Sequence, residues 1–164
     1  MRMLRVAAGF SLLLISLSSW AQSDAQKVLD RFKSMAGTWE GKSPSGDTSE
    51  VTYRLEAGGT TVMADMHMSS EDMMSMYYVD GEQLLMTHFC PSNNQPRMKA
   101  VISPDLKTVT FDFLDATNLA NPSDGHMRKM VLKIQDKDHF TEEWFFNQNG
   151  KDGDHGVFHL TRKK

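Results

Sequence analysis

The sequence predicts a mainly β fold, an antiparallel up-and-down β-barrel of about eight to ten strands that is lipocalin-like and carries one short N-terminal helix. Two observations support this prediction. Apolar and polar residues alternate with the period of a strand over much of the chain, as at Val51, Tyr53 and Leu55. Turn signals such as Asp80-Gly81 and Asn149-Gly150 interrupt the alternation at short intervals. A barrel is favoured because strands joined by short turns can close without leaving an exposed edge.

The first 21 residues have the pattern of a cleaved secretory signal. Arg2 and Arg5 precede the apolar run 6–17, and Ser19-Trp20-Ala21 places small residues where a signal peptidase cuts. The run is shorter than the roughly 20 apolar residues that span a bilayer. We therefore predict a signal peptide over 1–21, a secreted and periplasmic protein, and no stable membrane anchor after cleavage.

A short amphipathic helix opens the chain beyond the signal. Ser23 to Gln26 forms a capping-box pattern, and Val28, Leu29 and Phe32 follow at helical spacing before Gly37. The helix is expected within 22–37 and a single barrel domain over 38–164. The strand candidates lie near 38–42, 49–56, 60–69, 73–79, 83–90, 97–102, 107–114, 126–134, 138–146 and 156–162.

The charge of the chain argues against nucleic acid and anionic membranes as partners, and its cysteine content excludes an internal disulfide. Asp and Glu number 21 against 18 Lys and Arg, and two of the arginines lie in the predicted signal. An acidic chain is a poor partner for nucleic acid or for an anionic membrane surface. A single cysteine, Cys90, cannot form an internal disulfide. We therefore expect packing to stabilise the domain, with oligomeric state left open.

Two sets of residues resemble known families. Gly37-Thr38-Trp39 after a short helix, followed by a run of hairpins, resembles the start of the lipocalin and fatty-acid-binding superfamily of β-barrels, the calycins. The stretch from Met73 to Met127, with Thr87-His88-Phe89-Cys90 and Phe113 to Asn118, also resembles a group of small secreted bacterial proteins of unknown function. These resemblances support a barrel fold and imply little chemistry.

The segment around Asp80-Gly81 predicts a hairpin with one inward face. A type I′ turn at these two residues would pair Val79 with Glu82 and Tyr77 with Leu84. Side chains two apart share a face, so one face would carry Met73, Ser75, Tyr77, Leu84, Met86, His88 and Cys90. We expect this face to point inward, because a cavity with a few convergent polar groups suits a ligand.

The leading prediction is therefore binding of a small, largely apolar or amphipathic molecule inside the barrel. The predicted ligand-binding residues are Met73, Tyr77, Met86, His88, Cys90, Arg97 and His126. Arg97 would bind a carboxylate if a bulge near Pro91 or Pro96 turned it inward, as in the fatty-acid-binding relatives, but a structural ion pair is the favoured interpretation. Cys90 is most simply a small buried hydrophobe.

Metal or haem binding is a second hypothesis. Six of the 13 methionines lie between Met63 and Met76. Thioether and imidazole ligands suit Cu(I), and Met66, His67 and Met68 would supply them. On a strand, however, Met66 and Met68 face away from His67. The favoured interpretation is that these methionines fill an irregular core or cavity. Haem ligation through His88 or Cys90 belongs to the same hypothesis.

Catalysis is a third hypothesis, ranked below binding. Tyr77 and His88 would serve as acid and base on a substrate held in the cavity. Glu142 and Glu143 are adjacent and would face opposite ways on a strand, so they do not form a simple pair of acids. The sequence thus specifies no cofactor and favours a binding protein over an enzyme.

Overall fold

A computed structural model describes residues 22–42, 46–68 and 71–164, with the backbone alone at residue 152. This part of the chain forms one helix, a short 3₁₀ turn at Ala57–Gly59 and ten strands. They are α1 (Asp24–Ser34), β1 (Gly37–Lys42), β2 (Thr48–Glu56), β3 (Thr61–Met68), β4 (Glu71–Asp80), β5 (Gln83–Phe89), β6 (Gln95–Ile102), β7 (Thr108–Thr117), β8 (His126–Ile134), β9 (His139–Gln148) and β10 (Lys151–Arg162).

The ten strands form one closed antiparallel barrel. Each strand pairs with its neighbours in sequence, and β1 also pairs with β10, which closes the barrel. Trp39 lies at this closure, opposite Val51 of β2 on one side and Arg162 of β10 on the other. The predicted mainly β, up-and-down barrel is confirmed. The predicted signal, 1–21, lies outside the described residues, and none of the helices in the described part of the chain is long and apolar enough to cross a membrane.

Helix α1 covers one end of the barrel with an apolar face. Its buried residues are Ala25, Val28, Leu29 and Phe32. The Phe32 ring meets the inward ring of Tyr77 edge-on, with centroids 4.9 Å apart, and lies 6.3 Å from that of Phe111. The helix therefore closes the end of the barrel near the β6–β7 and β8–β9 turns, where Arg31 donates to the carbonyl of Leu106.

The helix begins at the predicted cap. The Ser23 hydroxyl accepts a hydrogen bond from the backbone N–H of Gln26, with the two atoms 3.2 Å apart. Because this bond satisfies a free N–H of the first turn, we expect Ser23→Ala to lower the free energy of unfolding by about 1 kcal/mol. Urea denaturation measures the change, and Ser23→Asp should retain most of the stability. Equal stability of Ser23→Ala and the parent would show that the cap contributes nothing.

The β4–β5 hairpin differs from the prediction in register but not in face. Its two turn residues are Gly81 and Glu82, and Val79 pairs with Leu84 rather than with Glu82. Gly81 is at a positive φ of 59°, and Glu82 is not among the positive-φ residues. This matches a turn with glycine at its first central position instead of a type I′ turn. The register moves by two residues, which preserves the side-chain face, so the predicted inward face is confirmed.

Candidate functional site

Six polar or aromatic side chains meet inside the barrel, away from solvent. We call Tyr53, Ser75, Tyr77, His88, Glu142 and Trp144 the interior polar cluster. They come from β2, β4, β5 and β9, and each is at most 4% exposed. Strand alternation places them there, because each occupies an inward position between outward ones. The cluster brings one carboxyl, one imidazole and two phenols into the same interior.

Glu142 is the acid of this cluster and is fully buried. Its Oε1 accepts a hydrogen bond from the Tyr53 hydroxyl at 2.7 Å, and its Oε2 accepts one from Nε1 of Trp144 at 2.9 Å. Burial raises the pKa of Glu142, and the two hydrogen bonds oppose that rise. The neighbouring Glu143 points outward and pairs with Lys133. The two glutamates thus face opposite ways, as predicted, and only Glu142 belongs to the interior.

His88 is the base of the cluster and one of its nitrogens is unsatisfied. Its Nδ1 lies 2.9 Å from the Ser75 hydroxyl, and its ring lies 4.6 Å from that of Trp144. Nε2 is buried and has no hydrogen-bond partner in the described part of the chain. Burial lowers the pKa of His88 to about 3. The imidazole is therefore neutral at neutral pH and interacts as a hydrogen-bonding group.

Tyr53 and Tyr77 lie beside each other with nearly parallel rings, whose centroids are 6.4 Å apart. Burial and the nearby Glu142 raise the pKa of both phenols well above the ordinary value. The Tyr53 hydroxyl donates a hydrogen bond to Glu142. The Tyr77 hydroxyl is close to Ser75 and Tyr53, yet within the described structure it makes no hydrogen bond of good geometry. It is a second polar atom with capacity for a partner.

Buried methionines share the barrel core with this cluster. Met66, Met86, Met98 and Met130 are fully buried, and Met68 is nearly so. Met86 precedes His88 by two residues on the same face and pairs with Met98 across the β5–β6 ladder. These side chains add apolar, conformationally flexible groups to the barrel interior.

The structure brings together three of the seven predicted site residues in the interior, with a fourth at its margin. Tyr77, Met86 and His88 are buried there, and Met73 is partly buried against the core. Cys90 follows the end of β5 and is only partly buried. With Met73 it lines a shallow cavity of about 380 Å³ at the rim of the barrel. Cys90 is therefore a rim residue and does not belong to the interior polar cluster.

His126 lies on the side of the barrel where β7 and β8 separate. The two strands pair only from Thr108 to Asp112 of β7, so their ends diverge beyond this point. His126 is 5% exposed, its Nδ1 is 2.7 Å from the Asp124 carbonyl oxygen, and its ring lies 4.6 Å from that of Phe113. A cavity of about 640 Å³ between the diverging strands contacts these side chains. His126 thus lines a lateral opening.

Arg97 points outward and forms a structural ion pair. Its guanidinium holds the carboxylate of Asp115 with two hydrogen bonds, the Nε–Oδ1 bond being 2.6 Å. A bulge follows Arg97, but its side chain remains 48% exposed, so the carboxylate-binding role that a bulge would have allowed is not seen. The partnership raises the pKa of Arg97 and lowers that of Asp115.

We expect Arg97→Ala to have only a small effect on stability. Exposed ion pairs typically contribute about 0.2–1 kcal/mol. Thermal unfolding of Arg97→Ala, Asp115→Ala and the double variant measures the coupling between the two side chains. A coupling energy well above about 1 kcal/mol would contradict the assignment of an exposed ion pair.

The Met66-His67-Met68 segment is divided between the two faces of β3. Met66 and Met68 are inward, whereas His67 is exposed and lies 2.6 Å from Asp72. That hydrogen bond raises the pKa of His67. The three side chains therefore do not converge on one ion. Among the described residues, His, Cys, Asp and Glu form no group of three arranged around a metal.

Sequence reasoning missed the other half of the interior polar cluster. Tyr53, Glu142 and Trp144 were not among the predicted site residues. The signal was present, because Phe140, Glu142 and Trp144 alternate and so share the inward face. A carboxylate between two aromatic residues on one strand face is unusual for an inward position. Only the fold shows that β2 and β9 bring Tyr53 and Glu142 within hydrogen-bonding distance.

Comparison with known proteins supports the fold. No protein-family model matches the chain, and no curated protein sequence matches it. Fourteen chains of solved structures do match. One is the crystal structure of Rv2717c from M. tuberculosis, with a TM-score of 0.61 and 15% sequence identity, over 84% of this chain and 98% of that one. At this identity the similarity shows the fold alone: this chain is similar to Rv2717c in being a closed β-barrel.

Proposed function

We propose that this protein is a secreted, periplasmic binding protein that holds a small, largely apolar molecule inside the barrel. The polar end of the molecule binds the interior polar cluster, and its apolar part packs on the buried methionines. Tyr77 and His88 orient the ligand, and Met73 and Met86 contribute apolar contact. The protein acts by binding rather than by catalysis.

One observation carries this proposal: Nε2 of His88 is buried and has no hydrogen-bond partner among the described residues. Buried polar atoms almost always have a partner, and leaving one without costs about 1–3 kcal/mol. A ligand group at Nε2 removes this cost, and the Tyr77 hydroxyl offers a second contact beside it. The buried methionines match the mainly apolar lining of small-molecule sites.

We also propose that the barrel is related to the lipocalin and fatty-acid-binding superfamily. Gly37-Thr38-Trp39 stands at the start of β1, directly after the helix, and Trp39 is buried at the barrel closure. Members of this superfamily hold apolar ligands inside the barrel, which agrees with the binding site proposed above.

Native mass spectrometry tests the proposed function. The full chain is expressed, and the exported protein is purified without detergent or chelator. Its mass is then measured as isolated and after addition of decanol. We expect either an organic adduct or a one-to-one decanol complex, because a neutral amphipathic molecule satisfies both the apolar and the polar part of the site.

The matched variants are His88→Leu in the interior and His155→Gln on the surface. Loss of one hydrogen bond should weaken decanol binding by about threefold to tenfold in His88→Leu. His155→Gln should leave binding unchanged, because this side chain stacks on Phe145 outside the barrel. Absence of both an organic adduct and a decanol complex in the parent protein would contradict the proposal.

The inward methionines favour one second candidate, binding of Cu(I). Thioether sulfurs and a neutral imidazole nitrogen are soft ligands that suit this ion. His88 supplies an unsatisfied nitrogen in an interior where Met66, Met86 and Met98 are fully buried. Native mass spectrometry also distinguishes an organic ligand from Cu(I), which is added to the protein under reducing conditions. Bound copper that persists in His88→Leu would exclude His88 as its ligand.

A further inference from the structure

The charges inside the barrel restrict the polar end of the ligand. Glu142 is the acid among the fully buried side chains, and no Lys or Arg is buried in the described part of the chain. Arg97, the residue considered for binding a carboxylate, is outside and holds Asp115. The interior polar cluster therefore offers a potential negative charge and neutral hydrogen-bonding groups, and it offers an anion no partner of opposite charge.

Glu142 retains hydrogen-bonding capacity. Each of its oxygens accepts one hydrogen bond, from Tyr53 and from Trp144. An ionised carboxylate has about four lone-pair positions, so two further donors can be accepted. A protonated amine has three N–H donors and also provides the opposite charge that a buried carboxylate requires.

The aromatic rings of the cluster suit a cation as well. Tyr53 and Tyr77 lie side by side, and the rings of Trp144 and His88 are tilted against each other. The faces of tyrosine and tryptophan rings attract positive charge, most strongly away from water. An acid beside several aromatic rings should bind a ligand that ends in an amine more tightly than one that ends in an alcohol. A ligand that ends in a carboxylate should bind most weakly.

We propose that the polar end of the ligand is a protonated amine that forms an ion pair with Glu142. This inference rests on the proposed function, since it specifies the ligand class of the same site. The ligand is an apolar molecule that carries an ammonium group, and molecules with a carboxylate or phosphate at that end are rejected. The unsatisfied atoms of Tyr77 and His88 bind the remaining donors of the ligand or its adjacent polar atoms.

The test uses three probes with the same chain: decylamine, decanol and decanoate, below the concentrations at which they aggregate. Isothermal titration calorimetry at neutral pH and moderate salt gives the dissociation constant of each for the full secreted protein. We expect decylamine to bind at least about tenfold more tightly than decanoate, with decanol between them, because a charge-assisted hydrogen bond replaces a charge repulsion. Salt reduces any preference that comes from the acidic surface, since exposed charges are screened.

The adjacent glutamates provide a matched pair of variants. Glu142→Gln replaces the inward carboxyl group and Glu143→Gln an outward one, so the two variants carry the same chemical change at adjacent positions. We expect Glu142→Gln to lose the preference for decylamine over decanoate and Glu143→Gln to keep it. Thermal unfolding confirms that each variant is folded, and Glu142→Leu serves as a second variant without the acid if the amide disturbs folding.

The outcomes separate the two proposals. Binding of decylamine with the expected preference, lost only in the Glu142 variant, supports both. If all three probes bind but decanoate binds as tightly as decylamine, or if the two glutamine variants behave alike, the amine proposal is overturned while ligand binding stands. If none of the probes binds the parent protein and it carries no organic adduct, the proposed function itself is overturned.

Discussion

Replacement of Trp39 by alanine is expected to lower the free energy of unfolding by about 3–5 kcal/mol, the range for large aromatic residues in a core. Trp39 is 1% exposed and its indole N–H donates to the Met35 carbonyl at 2.8 Å. Its ring packs edge-on against Phe140 at 4.7 Å, and the Arg162 guanidinium lies 4.1 Å from its centroid. The substitution therefore removes contacts to the end of the helix and to β9 and β10.

Urea denaturation followed by far-ultraviolet circular dichroism measures this change. Trp39→Phe retains part of the ring packing but not the hydrogen bond to Met35, so we expect an intermediate loss. A decrease below about 1 kcal/mol in Trp39→Ala, as for a typical surface substitution, would show that the closure does not depend on this side chain.

Burial of His88 is expected to make the protein less stable in acid. The pKa of His88 is about 3 in the folded protein and 6.5 in its ordinary state. The unfolded chain therefore binds a proton between these values that the folded protein does not, so the free energy of unfolding falls as pH decreases. The loss begins as pH falls through about 6.5 and amounts to about 1.4 kcal/mol for each pH unit down to about 3.

The pH dependence of His88→Gln isolates this contribution from that of other titrating groups. Glu142 acts in the opposite direction, because its raised pKa makes the folded protein take up a proton first as pH falls. Surface carboxylates such as Asp115, whose pKa is lowered by Arg97, also reduce the free energy of unfolding when they become protonated in acid. We expect the parent to lose more stability than His88→Gln from pH 6.5 to 4, and His155→Gln to follow the parent. Identical pH profiles for the parent and His88→Gln would contradict burial of a neutral imidazole.

The fold could be predicted well because its signals are local. Alternation of apolar residues and turn residues such as Gly81 placed the strands, and the pattern beginning at Ser23 placed the helix. The register of the β4–β5 hairpin was wrong because Asp80-Gly81 and Gly81-Glu82 are both possible two-residue turns for this sequence. Which one forms depends on pairing along the complete strands, and this information is not contained in the turn residues.

The candidate site was only half predicted, because it depends on contacts between distant strands. His88 and Tyr77 share one hairpin, so alternation from a single turn placed both inside. Tyr53 and Glu142 are 89 residues apart and meet only because the barrel closes. Cys90 and His126 lie at strand ends, where alternation along the strand no longer fixes the direction of a side chain, and a register shift follows Met127 beside His126.

In the proposed function a ligand satisfies the free nitrogen of His88, and ¹⁵N nuclear magnetic resonance of the imidazole detects this contact at the atom itself. Protein labelled with ¹⁵N-histidine is recorded before and after saturation with decylamine at constant pH, with His88→Gln used to assign the signal. We expect the Nε2 resonance of His88 to shift on binding, while that of exposed His155 stays in place. Decylamine bound at saturation with an unchanged His88 resonance would contradict the proposed contact.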